Sequence, residues 1–125
     1  MNREELEEKL KELDIEDFIW VIYIGIIILS WISNHYERDF FTTNNQESKE
    51  IYRNIIILIF SILLIVYLYF LYDSYKSIKN IKSNDSSKNL KYLSFIASLL
   101  ITISGIIFLY IAIKDEDINV ELAFN

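Results

Sequence analysis

His35, Glu37 and Asp39 stand at alternate positions in the run HYERD, and an imidazole with two carboxylates is a donor set that transition metals accept. The chain has one histidine and no cysteine, so this run lacks the ligand number and geometry of a committed site. Ser104-Gly105 places a hydroxyl beside a glycine, as nucleophile turns do. A serine nucleophile needs a base in reach, and no His, Lys, Asp or Glu lies within the apolar block around it. Asp115, Glu116 and Asp117 attract cations loosely but lack the spacing and glycine turn of a calcium loop. These three absences point away from an enzyme, and no cofactor or metal is expected.

The elements that hold these residues are three long apolar blocks with the charges gathered between them. Asn54–Tyr72, NIIILIFSILLIVYLYFLY, has 19 residues and one non-aromatic polar side chain inside, Ser61. As a helix it measures about 28 Å, against a hydrocarbon core of roughly 30 Å. Its fourteen Ile, Leu, Phe and Val residues each favour insertion by about 0.3 to 0.6 kcal/mol. A soluble core helix would show one polar face, and this block is apolar on all sides. Tyr92–Ile113 carries no charge and is long enough to span with some tilt. Phe18–Ile32 is shorter, with Trp20 and Trp31 near its two ends as interface anchors. It does not read as a signal peptide, because seventeen residues with a net acidic charge precede it and no small-residue cleavage site follows.

The expected fold is therefore all-α: an integral membrane three-helix bundle with a short N-terminal amphipathic acidic helix. The chain is one membrane domain over 1–125. The acidic helix takes 1–14, the spans take 16–35, 54–73 and 92–113, and an acidic tail takes 114–125. Leu6, Leu10 and Leu13 recur at helical spacing in residues 2–18, which carry eight acids against three basic residues. Asp14 suits an N-cap, so a break is expected there before the first span. The second and third blocks flank a segment with Lys76, Lys79, Lys82, Lys88 and Lys91. Three crossings put this basic segment on the same side as the N-terminus, and the excess of Lys and Arg places both in the cytoplasm. The C-terminus then faces outward from the plasma membrane.

Two surfaces are candidates for contact. On the third span Ser94, Ser98, Gly105 and Ala112 fall within an arc of about 40°, flanked by Ala97 and Thr102. Small residues of this kind let helix backbones approach and their hydroxyls bond across. On the first span Trp20, Tyr23, Ile27, Ser30, Trp31 and Asn34 share the face best suited to meet that stripe. The tail INVELAFN places Ile118, Val120, Leu122 and Phe124 on one edge at strand spacing, as a docking segment for an outward-facing partner would.

Net charge is −6, which repels phosphate backbones, so nucleic acid is not an expected partner. Membrane lipid is, together with a second copy or a membrane or extracytoplasmic protein. Heavy use of Ile, Lys and Asn suggests an AT-rich, bacterial genome. The function expected is a non-enzymatic interaction or accessory role, of which an immunity-like protector is one example by size and span number. The alternative is a homo-oligomeric pore former or holin-like channel built on the third span.

Overall fold

A computed structural model of the chain describes residues 2–81 and 86–115. The architecture is all-α, with three helices: α1 at Arg3–Thr43, α2 at Gln46–Lys79 and α3 at Lys88–Lys114. No strand occurs among the described residues. Each helix holds a stretch long and apolar enough to cross a membrane. The chain divides into two compact units, Met1–Tyr52 and Arg53–Asn125, with α2 continuing through the division.

In the first unit, α1 starts on Asn2, whose side-chain oxygen accepts from the Glu5 backbone N–H at 2.8 Å. Glu4 and Glu5 lie in the first turn, where the helix macrodipole favours acids. Arg3 and Glu7 pair across one turn at 3.3 Å. The acidic segment is thus helical as expected, but the break at Asp14 is absent. α1 runs 41 residues without interruption, about 60 Å. Leu13, Ile15 and Glu16 tolerate a helix, and no glycine or proline stands nearby to stop one. Inside a formed helix the N–H groups that Asp14 would cap already bond to carbonyls one turn back.

The link between α1 and α2 is also shorter than the sequence suggests. Residues 36–53, read as a loop, are helical except at Asn44 and Asn45. Asn44 takes the left-handed conformation, φ 56° and ψ 34°, and its N–H donates to the Phe40 carbonyl at 2.7 Å. Asparagine tolerates that region better than most residues. Asn45 then caps α2, its side-chain oxygen accepting from the Glu47 N–H at 3.0 Å. The Asp39 carboxylate ties the two sides of the turn. It accepts from the Ser48 hydroxyl at 2.5 Å and from the Asn45 amide at 3.4 Å. Beneath this corner Tyr52 is fully buried, its ring 6.2 Å from that of Phe40, and the Ser33 hydroxyl donates to the Tyr52 carbonyl at 3.5 Å.

In the second unit α2 and α3 run antiparallel. Ile56, Ile59, Phe60, Leu63 and Val66 are buried on α2, and Thr102, Gly105 and Ala112 on α3. Helical spacing puts each set on one face. The remaining surface of the spans is greasy: Ile65, Leu93, Leu100, Ile107 and Tyr110 are all exposed. A contiguous apolar surface of this kind is costly in water and cheap in lipid.

Candidate functional site

The most organised constellation in the described residues is the seam between α2 and α3. Its contacts follow one another along the two helices in opposite directions. Ser74 and Ser98 share a hydrogen bond at 3.0 Å. The Thr102 hydroxyl donates to the Ser98 carbonyl at 2.8 Å and lies 3.4 Å from the Tyr67 carbonyl. A Cβ at Gly105 would stand 3.0 Å from the Tyr67 ring and 3.6 Å from Leu64. The rings of Phe60 and Phe108 stack at 5.6 Å, nearly parallel. At the far end the Arg53 guanidinium donates to the Ile113 carbonyl at 2.8 Å. That carbonyl belongs to the last turn of α3, whose oxygens lack helical partners, so the cation acts as a C-terminal cap.

Gly105 explains the geometry of this seam. The missing side chain lets the Tyr67 ring lie against the α3 backbone, and Thr102 and Ser98, one and two turns before it, supply the polar links. Such groups have no water to bond inside a bilayer, so they bond to the neighbouring helix or to their own. Ser61 and Ser104 do the latter, donating to the carbonyls of Ile57 and Leu100. The hydroxyl beside Gly105 is therefore tied to its own helix.

Of the six stripe residues named from sequence, Ser98, Thr102, Gly105 and Ala112 line or sit within this seam, while Ser94 and Ala97 are exposed. Their partners Tyr67, Ser74 and Arg53 were not singled out in the sequence. Tyr67 and Ser74 share a helical face with the buried Ile56, Phe60 and Leu63, a signal present in α2 but masked by its all-round apolarity.

The face named on the first span is unevenly exposed, with Tyr23 and Ser30 half-buried. Trp20, Ile27 and Trp31 are 64, 66 and 76 % exposed, whereas Ile19, Ile26 and Ser33 are buried. Exposed aromatics at the ends of a span suit the membrane interface. Ile28, Trp31, Ile32 and His35 outline an open apolar groove of about 220 Å³ on this surface. His35 is exposed and packs its ring against Tyr36 at 5.6 Å. Glu37 is half-buried, and desolvation pushes its carboxyl above the ordinary glutamate range. Asp39 is spent on the turn. Among the described residues no three His, Cys, Asp or Glu side chains gather as a metal site would need. The candidate tail, Ile118, Val120, Leu122 and Phe124, lies outside the described residues.

The chain matches no protein-family model, no curated protein and no solved structure.

Proposed function

We propose that the chain is a multi-pass plasma-membrane protein that works by contact rather than by catalysis, as an accessory or protector-type subunit. Its N-terminus and the α2–α3 connection lie in the cytoplasm, and its C-terminus faces outward. The observation that carries this reading is how five hydroxyls on and beside the second and third spans are used. Ser61, Ser74, Ser98, Thr102 and Ser104 each bond to a helix carbonyl or to one another. A pore or active site needs such groups turned toward a shared aqueous space. Here they serve packing, while the open surface offers apolar faces to lipid and partners.

The orientation is supported by the lysines that follow the second span and by the tyrosines before them. Lys76 lies over the Tyr72 ring at 5.7 Å, as an ammonium reaching past an aromatic belt toward headgroups would. Outward contact falls to the tail, whose apolar edge is proposed to add to a partner.

Purified chain placed in a planar bilayer tests the choice between contact and conduction. The contact reading expects a silent bilayer, and stepwise conductance would favour the pore. Truncation after Asp117 tests the tail: membrane insertion should persist while recovery of an outward-facing partner in mild detergent is lost. Unchanged recovery would remove the tail from the account.

A further inference from the structure

The second half of α2 has two unlike sides. Ile56 and Leu63 are buried, and Ser74 meets Ser98 on that same side. On the opposite side Ile65, Leu68, Tyr72 and Tyr75 are exposed, and Lys76 and Lys79 follow them, exposed as well. At 100° per residue these exposed positions fall within an arc of about 100°. The Lys76 ammonium lies over the Tyr72 ring at 5.7 Å, and the Tyr75 ring packs 6.3 Å from that of Phe95 on α3. Among the described residues no ion pair engages Lys76 or Lys79. Asp73, the one acid of α2 beyond Asn54, is half-buried and lies about 100° round the helix from Tyr72.

We propose that this face of α2 binds an anionic phospholipid, with an acyl chain along Ile65 and Leu68 and the phosphate between Lys76 and Lys79. The order of residues along the helix matches the order of groups along a lipid. Ile65 and Leu68 lie about 10 and 6 Å on the hydrocarbon side of Tyr72, and Lys76 and Lys79 about 6 and 10 Å on the water side. The headgroup layer is about 5–8 Å deep, and lysine stems reach back into it. Tyr72 and Tyr75 stand between, at the level that amphipathic rings prefer. Each lysine near an anionic lipid surface adds to the attraction. An acidic peptide would match the lysines but not Ile65 and Leu68, which lie at hydrocarbon depth. A lipid matches both ends. The inference rests on the proposed crossing by α2 and holds whichever way the helix faces.

The purified chain in a neutral detergent is mixed with equal amounts of phosphatidylglycerol and phosphatidylcholine of matched acyl chains, and retained lipid is counted by native mass spectrometry. Phosphatidylglycerol should be retained over phosphatidylcholine by about tenfold. Lys76→Gln with Lys79→Gln should bring the ratio close to one. Lys9→Gln with Lys11→Gln, the same loss of charge elsewhere, should leave the ratio unchanged. Equal retention of the two lipids, or equal sensitivity to both pairs of substitutions, overturns the site. Selectivity that emerges only after Glu4→Gln, Glu7→Gln and Glu8→Gln overturns it too, because the acidic segment then holds the lysines in place of lipid. Flotation with phosphatidylcholine vesicles tests the crossing by itself. A chain that floats yet shows no selectivity keeps its crossings and loses the lipid site, and a chain that fails to float loses both.

Discussion

The chain's two glycines occupy opposite situations. A Cβ built on Gly25, in the first unit, would meet nothing within 4 Å, whereas one on Gly105 would press on the Tyr67 ring at 3.0 Å. The contrast extends to the units that hold them. The second unit is knit along its length by a small-residue seam, with ring stacking, hydroxyl bridges and an arginine cap. The first unit concentrates its polar contacts at one corner, where Asp39, Asn44, Asn45 and Ser48 turn the chain. Lipid offers apolar helices no hydrophobic gain on pairing, so close approach and buried polar links must do the joining. Where helices meet water, turn and cap chemistry suffices.

The sharpest way to break this contrast is to place the same bulky residue at both glycines. Gly105→Leu should destabilise the chain by about 3 kcal/mol or more, since overpacking a tight seam displaces Tyr67 and the Thr102 contact with it. Gly25→Leu should change stability by under about 0.5 kcal/mol. Unfolding of the purified protein in mixed micelles reads both. Equal losses would mean that the seam is no more tightly packed than the open helix.

The corner gives the next largest effect. Asn44→Val should cost about 1–2 kcal/mol, because a β-branched residue resists the left-handed conformation, while Asn44→Gly should be tolerated. Asp39→Ala removes the acceptor of Ser48 and should cost about 1 kcal/mol. A corner insensitive to both changes would not be the device that turns the chain. Within the seam, Ser98→Ala should cost about 0.6 kcal/mol and should show coupling to Ser74→Ala in a double-mutant cycle. Additive losses would dissolve the bridge.

Much of this arrangement was readable from residue pattern. Uninterrupted apolar blocks announce spans because nothing local competes with that signal, and the stripe from Ser98 to Ala112 stands out on α3 because its other faces are large. The partner face on α2 was not readable, since Tyr67 and Ser74 sit among apolar neighbours on every side. The continuity of α1 was missed for a different reason. Asp14 has the side chain of a cap, but a cap acts only where backbone N–H groups lack partners, and the preceding turns supply them. The corner is signalled by Thr-Thr-Asn-Asn followed by Gln, Glu and Ser, and the polarity of that stretch hides two helix ends in what looks like a loop.

Glu37 supplies the smallest prediction. Burial raises its carboxyl, so the folded chain holds that proton more tightly than the unfolded chain does. Ionised Glu37 therefore costs stability at neutral pH, and the cost fades as pH falls through the raised folded value. Glu37→Gln should raise the melting temperature by about one degree at pH 7, the effect being small because water screens a half-exposed group. The gain should vanish once the pH lies below the ordinary glutamate value. A gain unchanged with pH would assign it to something other than charge.

The account turns on three crossings with the Asn44-Asn45 corner outside. Asn45→Cys, the only cysteine then present, can be exposed to a membrane-impermeant maleimide in intact cells. Full labelling without permeabilisation is the predicted result. Protection of Asn45→Cys until the membrane is opened would contradict the orientation, and recovery of the labelled chain in a detergent-free soluble fraction would contradict the crossings themselves.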